Sequence, residues 1–516
     1  MRIKAAQIEL DTGRMTLPAD LTERYGRMAK AAVTHMKALE AGEPVNTTEG
    51  RQVGHYWLRD ADSAPGKLGS EITQSHSAIA QFATGAGSRF KQILWIGIGG
   101  SGLGPRLLVD CLRTPATKPI HFFDNTDPEG FARVLGDIEQ AGGLGETLTV
   151  VVSKSGGTKE TRNGMLIAQR AYAQAGVGSF EEHAAAITQP GSELHLLAQG
   201  KPPRKPEPWQ SVFRGEWLAS FPLWEWVGGR TSLFSAVGLL PAALLGFEGE
   251  KLLKGAADMD KATRRPQVEK NPALLLALAW YHAIEPLGLG SMVVLPYSDR
   301  LGLLGMYLQQ LIMESLGKAG KGLAVYGNKG TTDQHSFVQQ LRDGKRDFFV
   351  AFVRFLMGGA ACDEPIDDPG GEAASSDYLA ALQDGTAQAL SAEGRPSLRI
   401  TVDRVNAYTL GGLIALFERA VGFYAHMQGI NAYDQPGVEA GKRAAGDYLK
   451  LQAWLIKRLT KKKGQYASPL ALAEAAVAAD PALAAATPEL VDDILARLTA
   501  NKRYGLKSRS GEYGAE

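Results

Sequence analysis

Short apolar runs that end directly in glycine-rich or hydroxyl-rich turns are the feature of this sequence that most restricts its fold. Three of them, at residues 93–96, 148–152 and 291–295, are each followed by a segment with helical character. Such runs are typical of buried strands, and their alternation with helices is typical of parallel sheets. We therefore predict an α/β fold made of doubly wound parallel sheets.

The chain of 516 residues is longer than one hydrophobic core usually supports, so two domains are expected. One group of strand and helix units runs from about residue 60 to 243, and a second runs from about 270 to 440. We predict a smaller first domain over 60–243. The larger second domain then comprises 1–59, as a helical N-terminal segment, and 244–516, which ends in a helical tail.

Charge and cysteine content exclude several classes of protein. Lysine and arginine number 56 against 55 acidic residues, so the chain has no basic field for nucleic acid. Cys111 and Cys362 are too few and too far apart for a disulfide framework or a zinc ribbon, which favours the cytoplasm. The charged N-terminal residues do not form the apolar part of an export signal. The apolar stretches 234–247 and 274–280 are too short or too interrupted to span a membrane, and we predict core helices there.

Three further segments are assigned to the surface or to packing. The proline-rich segment 201–208 and the acidic segment 363–372 are predicted as exposed connections. The alanine-rich tail over 466–500 has helical spacing, with a helix start at Thr487. We expect this tail to serve packing only.

A loop with the pattern GxGxxG, Gly97–Gly102, follows the first of the predicted strands and opens a helix. Its backbone N–H groups can face an anion at the positive end of that helix. Nicotinamide-binding folds share this pattern, and Asp124 lies near the expected position of a ribose-binding acid, so a dehydrogenase is one alternative. A tight strand-to-helix turn that binds nothing is another.

A second loop of the same kind, Ser153–Thr158, follows another predicted strand, and dinucleotide-binding enzymes do not need it. The loop carries three hydroxyl groups and one ammonium group, on Ser153, Ser155, Thr158 and Lys154. Together they can satisfy the three terminal oxygens of a phosphate monoester. On its own, such a turn is more often only a helix cap. The two loops together favour a ligand with a phosphate at one end and sugar hydroxyls at the other.

Side chains able to do chemistry lie mostly in the second half of the chain. An apolar helix is predicted over 301–316, and it carries Gln310 and Glu314 on one face. A carboxylate is costly to bury on such a helix, and a desolvated glutamate is suited to taking a proton from carbon, although a solvent-facing glutamate is the simpler alternative. Arg230 follows two glycines beside a predicted helix cap, where it can stabilise an oxyanion or make only a salt bridge. His335 lies in a polar loop, just before another predicted helix.

Taken together, these motifs resemble the glucose-6-phosphate isomerase family, also called phosphoglucose isomerase, from about residue 90 to about 450. The matching motifs, in the family's order, are Ile-Gly-Ile-Gly-Gly-Ser at 96–101, Ser-Lys-Ser at 153–155, Gly-Gly-Arg at 228–230, Gln-x-x-x-Glu-Ser-x-Gly-Lys at 310–318, Gln-His at 334–335 and Gly-Val-Glu-x-Gly-Lys at 437–442. The resemblance implies two sugar-isomerase (SIS-type) domains with additional N- and C-terminal helices. It also implies a homodimer in which His335 of one subunit completes the site of the other.

The same resemblance implies a role for each matched residue. Glu314, His335, Lys442 and Arg230 would be catalytic, Ser153, Lys154, Ser155 and Thr158 would bind phosphate, and Gly100, Ser101, Gln310 and Gln435 would line the sugar. Glu160 would orient His335. No metal and no cofactor is implied, and the expected partners are a sugar phosphate and a second copy of the chain.

The implied reaction is the reversible conversion of glucose 6-phosphate to fructose 6-phosphate in glycolysis and gluconeogenesis. His335, helped by Lys442, would open the sugar ring. Glu314 would then move a proton from C2 to C1 through an enediol or enediolate that Arg230 stabilises. Two alternatives stay open: an aldose–ketose isomerase acting on a different sugar phosphate, and a non-catalytic protein that binds a sugar phosphate.

Overall fold

The computed structural model describes residues 1–204, 206–358, 363 and 373–516. These residues form two compact units, Met1–Asp434 and Gln435–Glu516. Cys362 and the predicted acidic connection at 363–372, apart from Asp363, lie outside the described residues. So does Lys205 of the other predicted connection, whose described neighbours are mostly exposed.

The first unit contains two β-sheets and the helices that cover them. Its strands are β1 (Arg2–Ala5), β2 (Ile8–Arg14), β3 (Gln92–Ile96), β4 (Ile120–Phe123), β5 (Thr147–Val152), β6 (Ala184–Thr188), β7 (Ala219–Pro222), β8 (Ser291–Pro296), β9 (Ala324–Tyr326), β10 (Phe348–Phe355) and β11 (Ser397–Val402). Its helices are α1 (Leu21–Glu40), α2 (Leu68–Thr84), α3 (Gly100–Leu112), α4 (Pro128–Gln140), α5 (Lys159–Ala175), α6 (Glu193–Ala198), α7 (Ala236–Leu244), α8 (Gly249–Thr263), α9 (Pro272–Ile284), α10 (Leu304–Leu308), α11 (Glu314–Leu316), α12 (Val338–Asp343), α13 (Ser375–Ala392) and α14 (Ala407–Gln428). Short 3₁₀ turns, among them Gly229–Thr231 and Thr332–His335, and a π-helical turn at Gln309–Met313 lie between them.

The first sheet has the strand order β4-β3-β5-β6-β7, and its strands are all parallel. Every residue of β3 and of β5 is buried, as expected for strands covered on both faces. This confirms the strands predicted from the apolar runs at 93–96 and 148–152. The chain leaves β3 to one side, into β4, and then crosses to the other side, into β5. The strand order therefore reverses between β3 and β5, which is where open α/β sheets usually bind ligands.

The second sheet has the strand order β1-β2-β11-β10-β8-β9. Strands β8 to β11 are parallel, which confirms the strand predicted at 291–295, whereas β1 and β2 are antiparallel. The N-terminal segment 1–59, predicted as helical, thus contains a β-hairpin before α1. Ile8, Leu10 and Thr12 are buried and alternate with more exposed neighbours, which is the period of a strand.

Helices α8, α9 and α14 pack against one another in the core of the first unit. Helix α9 is buried along almost its whole length, and α7 is largely buried, which confirms the two predicted core helices. Close contact between α8 and α14 depends on glycine. A Cβ added to Gly255 would lie 1.8 Å from the carbonyl oxygen of Tyr408, and one added to Gly411 would lie 1.9 Å from that of Leu252.

The second unit is a small helical module with its own apolar core. It comprises α15 (Pro436–Lys461), α16 (Pro469–Ala479), α17 (Pro488–Ala500) and the hairpin of β12 (Leu506–Arg509) and β13 (Glu512–Ala515). Oγ1 of Thr487 accepts a hydrogen bond from the N–H of Leu490 at 3.2 Å, which confirms the predicted helix start. In either unit, no helix among the described residues is both long enough and apolar enough to cross a membrane.

Candidate active site

The two predicted ligand-binding loops lie where the strand order of the first sheet reverses. Gly97–Gly102 joins β3 to α3, and Ser153–Thr158 joins β5 to α5. Because β3 and β5 are parallel neighbours, both loops leave the sheet at the same edge. In the described structure neither helix start is capped by a side chain. In α3, however, the N–H groups at 101–103 already donate to the carbonyl oxygens of Ile98 and Gly99, whereas the N–H groups at 159–161 of α5 have no partner among the described residues and are available to an anion. Ser101 lies half-buried in the first turn of α3, and its carbonyl accepts a hydrogen bond from the Trp95 indole at 2.7 Å.

Two glycines of the first loop are required by the close approach of other elements. Gly99 has a φ of 58°, and a Cβ added there would lie 3.1 Å from Nε2 of Gln310. A Cβ at Gly100 would lie 2.1 Å from the carbonyl oxygen of Gly229 and 2.8 Å from the backbone nitrogen of Arg230. The fold therefore brings together three residues that were predicted for the site: Gly100, Gln310 and Arg230.

The second loop is a tight turn whose hydroxyl groups partly satisfy one another. Oγ of Ser153 donates a hydrogen bond to Oγ1 of Thr158 at 3.1 Å, and the N–H of Gly157 donates to Oγ of Ser155 at 3.2 Å. Gly156 has a φ of 72°, and a Cβ there would lie 2.7 Å from a backbone nitrogen of α6, so the turn needs glycine. Ser153 is buried and Ser155 is exposed, so the predicted phosphate-binding hydroxyls differ in how accessible they are.

The ammonium group of Lys154 is held against the chain segment that leads to Arg230. Nζ donates hydrogen bonds to the carbonyl oxygens of Glu225 and Val227, both at 2.7 Å. An ammonium group has three N–H donors, so one remains for a ligand. Burial lowers the pKa of Lys154 to about 8, and the nearby charge of Arg51 acts in the same direction.

Glu314 and Arg230 face each other but differ in exposure. Oε1 of Glu314 lies 3.7 Å from Nη1 of Arg230, and the two side chains are 23% and 3% exposed. Burial lowers the pKa of Arg230, against the effect of the Glu314 carboxylate. Nε of Arg230 donates to Oγ of Ser315 at 2.7 Å, and Nη2 donates to the carbonyl oxygens of Ala432 and Asp434. A reachable carboxylate beside a firmly held cation is suited to proton abstraction with stabilisation of the charge that develops.

The helix that carries Glu314 differs from the predicted continuous helix because it contains a π-helical turn. The predicted helix over 301–316 consists of α10, the π turn at Gln309–Met313, and α11. It ends at Leu316 with Gly317 as the capping residue, as predicted. A π turn widens the helix locally and is frequent at functional sites. Glu314 begins the helical segment directly after this turn.

Four polar residues that the sequence did not assign to the site also lie in this network. Nζ of Lys318 lies 2.7 Å from Oδ1 of Asp434, and Oγ1 of Thr48 donates to the other carboxylate oxygen at 2.5 Å. Burial would raise the pKa of Asp434, but its hydrogen bonds from Lys318 and Thr48 hold that pKa below its ordinary value. Nη1 of Arg51 donates at 3.1 Å to the carbonyl oxygen of Glu225, which also accepts from the lysine of the phosphate loop. Lys318 ends a matched motif, whereas no local pattern marks Arg51.

The other predicted residues lie elsewhere. His335 ends a 3₁₀ turn shortly before α12 and is exposed, and Glu160 lies half-buried in the first turn of α5. Within the described parts of the chain, no hydrogen bond or ion pair joins these two side chains. Gln435 and Lys442 belong to the second unit, in which Gln435 precedes α15 and Lys442 is exposed on it. Their roles stay predictions.

Known proteins match this chain over most of its length. The sequence profile of the family described as phosphoglucose isomerase matches residues 13–359 and 372–453. The chain is 49% identical over 484 residues to a glucose-6-phosphate isomerase of Synechococcus sp. (strain JA-3-3Ab), covering 90% of this chain and 87% of the relative. It is 47% identical over 522 residues to one of Geobacter sp. (strain M21), covering 97% and 93%. A crystal structure of a glucose-6-phosphate isomerase from Chlamydia trachomatis D/UW-3/Cx is similar with a TM-score of 0.76 and 27% identity, over 88% of this chain and 90% of that one.

The family match includes both ligand-binding loops and the Glu314–Arg230 pair. The geometry also argues against the dehydrogenase alternative. Asp124, the acid that a dinucleotide-binding fold would direct at a ribose, is paired with Arg106 instead. On the extent of these matches, the chain belongs to the phosphoglucose isomerase family.

Proposed function

We propose that this chain converts glucose 6-phosphate reversibly to fructose 6-phosphate, in glycolysis and gluconeogenesis. The names of its relatives support this substrate. The observation that carries the proposal is the Glu314–Arg230 pair, in which a partly exposed carboxylate lies 3.7 Å from a buried guanidinium. An aldose–ketose conversion needs a base for a carbon-bound proton and a cation for the oxygen that becomes negative.

The proposed mechanism uses side chains of this protein for each step. The phosphate is bound by Ser153, Lys154, Ser155 and Thr158, and the sugar is lined by Gly100, Ser101, Gln310 and Gln435. Glu314 takes the proton from C2 of the open-chain aldose, and the electrons move towards the C1 carbonyl oxygen. Arg230 stabilises the resulting enediolate, in which the proton of the C2 hydroxyl passes to the C1 oxygen. The Glu314 carboxyl group then returns its proton to C1, and the electrons on the C2 oxygen form the ketose carbonyl. Ring opening is assigned to His335 and Lys442 from the family motifs alone.

Two measurements test the reaction directly. Purified protein is incubated with fructose 6-phosphate in D₂O, product is followed by a coupled assay, and deuterium at C1 and C2 is followed by NMR. We expect turnover and incorporation of solvent deuterium, since a carboxyl group exchanges its proton with water. The absence of both product formation and deuterium exchange would refute the proposal. A panel that includes mannose 6-phosphate distinguishes this substrate from other sugar phosphates.

Glu314→Gln tests the base. The amide keeps the shape of the side chain but cannot take a proton, so kcat should fall by about 10²–10⁴-fold while sugar-phosphate binding persists. Glu474→Gln, at an exposed position in the second unit, is the matched control and should leave kcat unchanged. Undiminished kcat in Glu314→Gln would remove the assigned base.

We also propose a homodimer in which each subunit supplies His335 to the other. Three features support it: His335 is exposed, no hydrogen bond or ion pair joins it to Glu160 in the described chain, and apolar side chains are exposed nearby on α13. Tyr378 and Leu382 of that helix are 40% and 46% exposed. A second copy that covered them would also bring its own His335 to the candidate site.

Mixing two inactive variants tests this arrangement. Glu314→Gln and His335→Ala proteins are unfolded, combined in equal amounts and refolded, so that subunits exchange. If His335 acts across the interface, half of the dimers are mixed and each has one intact site, which restores about a quarter of wild-type activity. No recovery, or a monomer in sedimentation analysis, would exclude a shared site. Refolded wild-type protein gives the reference activity.

Two further proposals concern the domain boundaries and the cellular location. The strands of the first sheet all lie within 60–243, which supports the proposed boundaries of the smaller domain. A cytoplasmic location is proposed from the two cysteines and the charged N-terminus.

A further inference from the structure

The chain segment that follows α1 reaches the candidate active site through Arg51. Asn46 and Arg51 form an isolated antiparallel bridge, so the chain makes a tight turn between them. The N–H of Gly54 donates a hydrogen bond at 3.0 Å to the carbonyl oxygen of Trp226. This contact places the segment beside the part of the chain that leads to Arg230. No site residue was predicted in this segment from the sequence.

The guanidinium of Arg51 joins two backbone carbonyls that are far apart in sequence. Nη1 donates to the carbonyl oxygen of Glu225 at 3.1 Å, and Nη2 donates to that of Tyr433, also at 3.1 Å. The carboxylate of Glu49 accepts from Nε at 2.6 Å, and the Arg51 side chain is only 15% exposed. A guanidinium is planar and rigid, so it holds the two carbonyls in a fixed arrangement. The ammonium group of a lysine, at the end of a flexible chain, would not do so.

Each of these two carbonyls is next to a cation of the candidate site. The Glu225 carbonyl also accepts from Nζ of Lys154, at 2.7 Å. The Tyr433 carbonyl lies in sequence between the two carbonyls that accept from Nη2 of Arg230. Arg51 therefore connects the support of the cation assigned to the phosphate with the support of the cation assigned to the enediolate.

We infer that Arg51 is a positioning residue for the reaction: it fixes the segment that holds Arg230 relative to the carbonyl that holds Lys154. The inference rests on the proposed function. In that reaction the phosphate and the carbons that exchange the proton lie at opposite ends of the sugar. A small displacement of one cation relative to the other would therefore misplace the reacting carbons of a substrate whose phosphate is bound.

Steady-state kinetics of Arg51→Met and Arg51→Lys test this role. In Arg51→Met we expect kcat to fall by about tenfold or more and KM to change by less than about threefold. The physical reason is that Lys154 still binds the phosphate, whereas the alignment of the reacting carbons is lost. Arg51→Lys keeps the charge but reaches only one of the two carbonyls, so its kcat should lie between those of Arg51→Met and the wild type.

The matched control is Arg300→Met. Arg300 also joins two backbone carbonyls, since it donates to Cys111 at 2.6 Å and to Val405 at 3.0 Å. Cys111 lies at the end of α3 opposite to the ligand-binding loop. Loss of Arg300 should therefore lower the temperature of thermal unfolding without changing kcat.

A double-mutant cycle with Lys154→Met distinguishes positioning from a general loss of stability. If Arg51 acts by aligning the sugar with a bound phosphate, it has little left to align once Lys154 is removed. Arg51→Met should then lower kcat/KM much less in the Lys154→Met protein than in the wild type, because the two residues share the Glu225 carbonyl.

The pH dependence of kcat/KM gives a second independent readout. Besides burial, the groups that act on the pKa of Lys154 are Arg51, which lowers it, and Glu49 and Glu225, which raise it. Loss of the Arg51 charge therefore raises the pKa of Lys154. The decline of kcat/KM at alkaline pH should move to higher pH in Arg51→Met and should stay in place in Arg51→Lys. A decline that does not move in Arg51→Met would contradict the inference.

Three kinetic results would also overturn the inference. The first is a kcat of Arg51→Met equal to that of the wild type. The second is a pair of losses, from Arg51→Met and Lys154→Met, that simply multiply in the double variant. The third is binding of inorganic phosphate, measured as a competitive inhibitor, that is at least about tenfold weaker in Arg51→Met, which would make Arg51 a phosphate ligand instead.

Two checks keep these results interpretable. Thermal unfolding shows whether each variant is folded, and if Arg51→Met is not, a wild-type kcat in Arg51→Lys would still refute the inference. Turnover by the wild type tests the proposed function separately. Its absence would refute that function, whereas wild-type turnover that loss of Arg51 leaves unchanged would refute the positioning role alone.

Discussion

Raising the pH from 7 to 9 should lower kcat/KM about tenfold through Lys154. This ammonium group is buried beside two carbonyl oxygens, and burial lowers its pKa to about 8. Its charged fraction in the free enzyme then falls from about nine-tenths at pH 7 to about one-tenth at pH 9. The phosphate of the substrate is already dianionic over this range, because its second pKa is about 6. Since kcat/KM reports the free enzyme, it should follow the ammonium group.

Lys154→Met separates this effect from other titrations. Methionine preserves most of the length and fits a partly buried position, but it carries no charge at any pH. Its kcat/KM at pH 7 should be about 10–100-fold below wild type, the equivalent of one charge-assisted hydrogen bond of about 1.5–3 kcal/mol. Its profile should then be flat, and the wild-type value should approach it by pH 9. A wild-type profile that is flat, or a variant profile that falls in parallel, would show that Lys154 is not the group responsible.

Two more substitutions test how the site is held together. Gly100→Ala places a Cβ 2.1 Å from the carbonyl oxygen of Gly229, so it should displace that turn. We expect it to lower the free energy of unfolding by about 1–3 kcal/mol and to lower kcat. The control is Gly136→Ala, whose Cβ meets no atom within 4 Å and which should be neutral or stabilising in thermal unfolding. Ser315→Ala removes the hydrogen bond that Nε of buried Arg230 donates to Oγ, which should lower kcat more than it changes KM. Ser315→Thr restores the hydroxyl and should recover activity, and equal kcat in all three proteins would contradict the argument.

The parts of the fold that were predictable are those governed by local pattern. The runs at 93–96, 148–152 and 291–295 are apolar on both faces because helices cover both sides of the sheets, so their composition alone identified them as strands. The two loops were predictable for a related reason. A strand that turns at once into a helix needs glycine or a small polar residue, and the same geometry exposes backbone N–H groups.

Features that depend on partners distant in sequence were not predictable. The hairpin of β1 and β2 pairs with β11, close to four hundred residues away, and its alternating pattern is too short to be decisive alone. The π turn at Gln309–Met313 has no sequence signature in an apolar helix. Arg51 joins the phosphate-loop network only through the carbonyl oxygen of Glu225, and a backbone acceptor leaves no trace in composition.

Arg230 shows that contacts between residues distant in sequence have a functional consequence. The sequence places it beside two glycines, but its donors are satisfied by Ser315, 85 residues later, and by the carbonyl oxygen of Ala432, 202 residues later. The site residues of the first unit thus come from segments that meet only when that whole unit is folded. Partial unfolding of any segment should remove binding, so a sugar phosphate that binds only the folded state must stabilise the entire unit, by about 2.7 kcal/mol at a hundred times its Kd. Hydrogen exchange in the cores of both sheets should therefore slow together on binding, and protection confined to the two loops would show that the segments are not coupled.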